Sequence, residues 1–520
     1  MTKTYMGIEL GSTRIKAVLI DDEHRIVAHQ GYSWENRLEN GIWTYPMEDV
    51  WAGLREVTER LLKTPREPVS IEGIGLSGMM HGYLAFDEHD NLLTPFRTWR
   101  NTFTGKASQE LTALFGCNIP QRWSISHLYH AVLHEEAHVK HVHHINSLAG
   151  YIHRRITGEF AVGIGEASGM FPLDGGRYDE RCVEQFEELI AGYQMPWKLK
   201  DVLPGIRKAG EYAGVLTEEG ARLLDPTGKL KAGTPLAPPE GDAGTGMVAT
   251  NSIAPYTGNV SAGTSIFSMT VLNKPLSRAY PEIDIIATPS GKPVAMVHCN
   301  NCTSDINAWA ATYKEFAAMI GKEIDDDTLY TTLYREAMKG DPDCDGVTVV
   351  GYLSGEHVTE FETGCPLVLR SPAVNFTLVN FLRAQLYSAL ASLAIGMRIL
   401  EDEHVPIKQL TGHGGFFKTE GVGQQFMADA VNAPVTVMKT AAEGGAYGMA
   451  LLTAFLVQRG DGETLEDYLD KRVFAKAERS VLAPNEKGVE GFKAYLRRFE
   501  SALNVERTAV ESDIYQGNKE

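Results

Sequence analysis

The chain has 520 residues, 43% hydrophobic and 22% charged, a globular composition with length enough for more than one core. Its formal net charge of −18 argues against a nucleic-acid or anionic-membrane surface, although a local basic pocket can still hold phosphate. The opening MTKTYMGIEL lacks a leader pattern and there is no uninterrupted bilayer-length apolar run, so a soluble, cytoplasmic protein is expected, its six cysteines reduced.

In chain order, Tyr5 to Leu10 and Ile15 to Ile20 alternate as two strands about a tight Gly11-Ser12-Thr13 turn, with a third strand at 25–29. The N–H groups and two hydroxyls of such a turn suit phosphate oxygens, and Lys16 can neutralise their charge; a plain hairpin turn reads the same way. Residues 48–62 place Val50, Trp51, Leu54, Val57 and Leu61 on one helical stripe. A strand over 71–76 then ends in Ser77-Gly78-Met79-Met80-His81-Gly82, at the strand end where open α/β sheets collect ligands. In Arg97-Thr98-Trp99-Arg100-Asn101-Thr102 an aromatic face stands beside planar hydrogen-bonders, as a sugar ring requires, though Trp99 could equally plug the domain. Helices are expected over 124–140, 145–157, 179–191 and 215–224.

Two motifs carry less. Eight of the sixteen histidines fall between His127 and His153, so the H-E-x-x-H at His134 to His138 arises easily by chance and is read as a polar helix face rather than a zinc site. Cys299-Asn300-Asn301-Cys302 has C-x-x-C spacing but no second ligand pair, and a redox pair would normally open a helix after a strand.

Near the middle, TPLAPPEGDAGTG at 234–246 sets one acid, Asp242, among Pro and Gly, which stiffen the approach and let a ligand come close. The alternative is a solvated Asp in a surface turn. At Gly258 the opening pattern returns as a strand, the turn Gly263-Thr264-Ser265, and a strand over 266–272. The echo suggests duplicated domains facing each other, 1–253 and 254–520, with a hinge near 250–257 and a C-terminal helical extension. The second half reads as helices at 304–320, 376–400, 419–432 and 491–504, a glycine-rich, closely packing segment over 441–454, and strands at 352–356 and 435–438. The turn Gly412-His413-Gly414-Gly415 could admit a base and ribose.

Together these motifs resemble a sugar kinase of the FGGY carbohydrate-kinase family, in the actin-like ATPase superfamily. The resemblance runs from about Tyr5 to Ala454. It is carried by GIELGSTRIK at 7–16, GMMHG at 78–82, TGEFAVGIGEASGMFPLD at 157–174 and Gly241-Asp242. SAGTS at 261–265, YLSGE at 352–356, and the segments Gly412 to Gly415 and Glu443 to Gly448 continue it in family order.

The resemblance implies an α/β fold of two actin-like (ribonuclease H-like) domains with the nucleotide and sugar in a cleft between them, and ATP and Mg2+ as cofactors. By position it puts the catalytic base on Asp242 and a metal-organising acid on Glu9. ATP contacts fall on Gly11, Ser12, Thr13, Lys16, Gly263, Thr264, Ser265, Gly414, Gly415 and Thr419, and sugar contacts on Met80, His81, Trp99, Asn101 and Asp242. The Met80-His81 pair is similar to xylulokinase-like members and points to a ketopentose such as xylulose. A small-molecule sugar is the implied partner, with neither nucleic acid nor membrane, and a homodimer is admitted. There are three departures from the family pattern: Glu9 stands for Asp, Met79 for Gln, and Trp99-Arg100-Asn101-Thr102-Phe103 for W-x-D-x-R. The rival readings are an actin-like ATPase and a lapsed sugar-binding protein, both without sugar phosphorylation.

Overall fold

The computed structural model describes residues 1–438 and 444–512. Strands β1 (Thr2–Leu10), β2 (Arg14–Asp21) and β3 (Ile26–Ser33) form an antiparallel meander, and β4 (Val69–Gly78) and β5 (Glu240–Gly241) add in parallel beyond β1, giving the order β5-β4-β1-β2-β3. The second sheet repeats this plan. Strands β6 (Thr257–Ala262), β7 (Ile266–Val271) and β9 (Pro293–Cys299) are its meander, with β10 (Gln409–His413) and β11 (Val435–Met438) parallel beyond β6. Edge strands β8 (Asp284–Ala287) and β12 (Arg479–Leu482) complete the order β8-β9-β7-β6-β10-β11-β12. The echo of Gly-hydroxyl turns in the sequence is therefore an echo of topology: each turn joins the first two strands of its sheet.

The helices cover the sheets for the expected reason, one apolar face each. The stripe of α1 (Met47–Lys63) buries Val50, Leu54, Val57 and Leu61 against the first sheet. Helices α2 (Ser124–Leu133), α3 (Leu148–Thr157) and the one-turn α4 (Ile164–Ala167) lie between β4 and β5 in the chain, and α2 belongs to a separate cluster with Tyr83, Trp123 and Phe171. From β5 the chain enters α5 (Asp242–Ala249), which packs towards the second sheet beside Met269 and Val271. After α6 (Thr303–Met319), α7 (Leu378–Asp402) and α8 (Val422–Val431), helix α9 (Gly444–Gln458) crosses back onto β1, β2 and β4. Glycine makes that return possible. A Cβ on Gly7 would collide with Ala446 and Ala450, and one on Gly448 with the Thr245 carbonyl of α5. The last element among the described residues is α10 (Glu486–Glu511), longer than the expected 491–504.

Other differences from expectation have local causes. Residues 124–140 break at Leu133, and 145–157 divides into a short strand at 144–146 and a helix capped by Ser147, whose hydroxyl accepts the Gly150 N–H. The helix expected over 215–224 starts only at Glu218, capped by Thr217. The segment 352–356 is irregular, because the Asn301 side chain takes the N–H groups of Leu353 (3.0 Å) and Ser354 (3.1 Å) that a ladder would have used. Residues 441–443, Glu443 among them, lie outside the described residues. Helix α7 is long and apolar enough to cross a membrane, but 83% of its most apolar window is buried in the second core.

Candidate active site

Asp242 stands where β5 gives way to α5. Its Oδ1 accepts the N–H of Met80 (3.2 Å) and of Ala243 (2.9 Å), so the carboxylate is aimed by two main-chain donors and Oδ2 makes no hydrogen bond among the described residues. Burial raises its pKa to about 6 against the pull of those N–H groups. This is a strand-to-helix junction rather than a surface turn.

The Met80-His81 bend closes one side. His81 holds a left-handed φ of 70° and its Nδ1 lies 3.1 Å from the Gly169 carbonyl. A carbonyl only accepts, so Nδ1 carries the proton and Nε2 is left as an acceptor. Burial, then the nearby Arg122 charge, lower the pKa to about 3, and the ring stacks on Trp123 at 6.4 Å. Arg122 itself pairs with Asp284 of β8, which also accepts from Asn118 (2.8 Å), joining the two lobes at this end of the cleft.

Glu9 and Lys16 face each other across β1 and β2. Burial lifts the Glu9 pKa to about 7; Lys16 opposes the shift, Asp242 adds to it, and the N–H groups of Ala446 and Gly445 draw it down. A Cβ on Gly445 would strike the Glu9 carboxylate, so this glycine makes room for an acid at the first turn of α9. The turn Gly11-Ser12-Thr13 is braced by aromatics: Trp34 Nε1 donates to the Gly11 carbonyl (2.7 Å), Tyr45 OH to that of Ser12 (2.5 Å), and the two rings stack at 4.3 Å. Trp99 reaches the same turn, its indole N–H 3.2 Å from the Ser12 hydroxyl. Asn101 does not reach the cleft, because its amide bonds Trp43 N–H (2.8 Å), Trp43 carbonyl (2.8 Å) and Thr98 carbonyl (3.0 Å).

The opposite turn is gripped by the start of α6. Cys302 N–H donates to Thr264 O (3.0 Å), and Thr303 donates through N–H (3.0 Å) and hydroxyl (2.8 Å) to Gly263 O. Cys299 and Cys302 thus do join a strand to a helix, as a redox pair would. Both are buried, and burial pushes both thiols up, so neither is a thiolate. Gly414, at φ 101°, passes so close to Ala262 that a Cβ would collide there, whereas Gly415 opens onto empty space and Thr419 is buried ahead of α8. His413 sits at the end of β10 with its pKa lowered to about 4, by burial first and then by Lys16 from the other lobe. The structure therefore brings Glu9, Lys16, Asp242, Met80 and His81 to one side and the second turn with β10 to the other.

Glu9 and Asp242 sense each other electrostatically, and their donors are oxygens, which fit a hard cation such as Mg2+. Among the described residues no three of His, Cys, Asp or Glu assemble as a metal centre, so such an ion would be held by these carboxylates together with phosphate oxygens. In the histidine-rich segment, Glu136 is taken by Arg97 and His138 by the Tyr83 hydroxyl (2.9 Å). Sequence reasoning missed Trp34, Tyr45, Trp123, Arg122 and the buried acids Glu166 and Glu240. Trp34, Tyr45, Trp123, Arg122 and Glu240 meet their partners from other parts of the chain, and only the glycines at 163 and 165, which leave room for Glu240, carry a local trace.

Residues 4–248 match the family model for the N-terminal domain of the FGGY family of carbohydrate kinases, and residues 258–457 match that for its C-terminal domain. A xylulose kinase of Haemophilus influenzae is 23% identical over 517 residues, covering 96% of this chain and 99% of the relative. A gluconokinase of Bacillus subtilis is 24% identical over 89% of each. Among solved structures, a ligand-bound xylulose kinase from Lactobacillus acidophilus superimposes with a TM-score of 0.81 at 18% identity, covering 97% of this chain and 98% of that one.

Proposed function

Because this chain belongs to the FGGY family of carbohydrate kinases, phosphotransferases that take their phosphoryl group from ATP, we propose that it phosphorylates a terminal hydroxyl of a small ketose, a ketopentose such as xylulose, in the cytoplasm. The observation that carries the reading is the Asp242 carboxylate, with one oxygen pinned by two N–H groups and the other open, next to Met80-His81 and within the field of Glu9. The curated relatives named xylulose kinase support the choice of sugar.

Phosphoryl transfer needs an in-line acceptor, a group near its hydroxyl and cations or N–H donors about the phosphates. In this reading the sugar lies on Met80 and Trp99, one hydroxyl donates to His81 Nε2, and the attacking hydroxyl gives its proton to Asp242 Oδ2. Gly11 to Thr13 and Gly263 to Ser265 cradle the phosphates from the two lobes, Lys16 neutralises their charge, and Gly414, Gly415 and Thr419 border the adenosine. Glu9 and Asp242 would hold Mg2+, which offsets charge on the transferring group. Asn101 shapes the Trp99 loop from behind. Residues 1–253 serve as the sugar lobe and 254–520 as the nucleotide lobe.

Arg122, whose charge reaches His81, and the gluconokinase relative favour an aldonate as the runner-up acceptor. Assaying ATP-dependent phosphate transfer to ketopentoses, ketohexoses, polyols and aldonates decides between them. A ketopentose should give the highest kcat/KM; an aldonate or glycerol ahead by a wide margin refutes the ketose.

A further inference from the structure

Glu240 lies two residues before Asp242 and is 1% exposed. Its carboxyl group accepts the N–H of Glu166 (3.0 Å) and of Gly165 (3.4 Å), both in α4. A Cβ on Gly163 or on Gly165 would collide with that carboxyl, so the two glycines of Gly163-Ile164-Gly165 are the space it occupies. Burial drives its pKa up to about 8, against the pull of the N–H groups. A side chain that only filled volume here would avoid that desolvation by being apolar.

We propose that Glu240 is a positioning residue for phosphoryl transfer: its carboxyl group fastens the β5–α5 junction to α4 and thereby holds Asp242 at the angle from which it meets the acceptor hydroxyl. This rests on Asp242 being the base. Strand β5 is only two residues long, paired through Glu240 with Ser77 and through Gly241 with Gly78, and such a short ladder cannot by itself fix the residue that follows. The Glu240 clamp supplies the second side of the hold, and Met80 N–H on Asp242 supplies the first. Gly241, between them, has no Cβ because Met80 and Glu166 press on that position.

The same short helix carries two more links. The Gly169 carbonyl just beyond it accepts from His81 Nδ1, and the Ser168 hydroxyl accepts the Ala287 N–H (2.9 Å) of β8 in the second lobe. Glu240 therefore ties the base to the element that also orients the sugar-facing histidine and touches the opposite lobe.

The test compares Glu240→Met, which keeps length but removes both acceptors, with Glu240→Gln, which keeps one carbonyl oxygen for the closer of the two donors, the Glu166 N–H. Glu240→Met should lower kcat by about 10- to 100-fold, as small misplacements of a reacting group do, with both KM values within about twofold of wild type. Glu240→Gln should restore kcat to within about threefold of wild type. A second reading needs no turnover: amide hydrogen exchange at Met80, whose N–H is donated to Asp242, should quicken in Glu240→Met as that contact loosens. If Glu240→Met does not fold, Gly165→Ala displaces the same carboxyl and is measured in its place. Unchanged kcat, or unchanged exchange of the Met80 amide, overturns the proposal. So does an equal loss in both variants accompanied by higher sugar KM and lower melting, which marks a merely structural group. Should the wild type phosphorylate no sugar, the kinase reading fails while the Met80 amide exchange still decides on Glu240.

Discussion

Replacing Asp242 by Asn separates two roles that the structure allows for this group. The side chain opens α5 and its Oδ1 accepts from Met80 and Ala243, a task an amide oxygen can perform equally well. If that were all, Asn would keep both the fold and the turnover. As a general base it must take a proton, which an amide cannot do, and turnover should fall by about 10²- to 10⁴-fold while sugar affinity stays near that of wild type. The pKa of about 6 also sets a profile for the wild-type enzyme. About nine-tenths of the group is ionised at pH 7 and about one-tenth at pH 5, so kcat/KM for the sugar should drop roughly tenfold for each unit below pH 6. The stability sign is opposite. A carboxyl whose folded pKa is raised from 3.8 to about 6 favours the folded state below pH 3.8 and loses that contribution as pH rises through 6. At pH 7 the buried charge costs up to about 3 kcal/mol by that shift, and Asn removes it. Asp242→Asn should therefore melt higher than wild type at pH 7, with the difference shrinking towards pH 4. Turnover, sugar affinity and melting temperature measured on one preparation decide the matter: near-normal turnover in the Asn variant would falsify the base, and a lower melting temperature would refute the charge argument.

Glu9→Gln should raise the Mg2+ concentration needed for half-maximal rate about tenfold, with little change in sugar affinity; calorimetry of ADP binding with and without Mg2+ gives the same answer without turnover, and an unchanged metal titration removes Glu9 from the site. His81→Phe deletes the Nε2 acceptor and should raise sugar KM about tenfold while leaving ATP KM alone. Since His81, with a pKa of about 3, stays neutral, the ratio of wild-type to His81→Phe sugar affinity should be the same at pH 8 and pH 5, and a steep change in that ratio would contradict the assigned ring. Gly448→Ala puts a methyl group into the Thr245 carbonyl where α5 and α9 cross, and should cost a few kcal/mol, on the order of other overpacked core sites, read as a lower urea midpoint.

The fold was legible because its strongest signals are local. Alternating strands around Gly-hydroxyl turns recur at residues 5–20 and 258–272, and the structure repeats a five-strand plan from each. The strand Val435 to Met438 matches residue for residue, and α7 announces itself by length and apolarity. Elements shaped by distant side chains left no such trace. A two-residue β5 has no period to detect, and the stretch 352–356 reads as a strand until Asn301 takes its N–H groups. At the candidate site, Glu9, Lys16, Met80 and Asp242 lie together, but the surroundings of each expected residue depend on unforeseen neighbours. Asn101 is held by Trp43 and Thr98, and Glu9 meets the first turn of a helix more than four hundred residues away.

Glycine shows the limit most plainly. In sequence, Gly263, Gly415, Gly445 and Gly448 all read as places where something comes close, nothing local says what, and Gly7 gives no such sign. Beside Gly7 and Gly448 it is protein: α9 lies on β1 and against α5 at distances no Cβ would permit. Beside Gly445 it is the Glu9 carboxylate. At Gly263 and Gly415 a Cβ would meet nothing within 4 Å, so the approach those glycines allow is still open in the protein alone. The closed set and the open set have complementary effects. The tight crossing of α5 and α9 fixes how the sheets face each other, and with it the distance from Asp242, at the head of α5, to both open turns. A chain that loosened the first set by one methyl group would keep every residue of the second and still misplace the cleft they border.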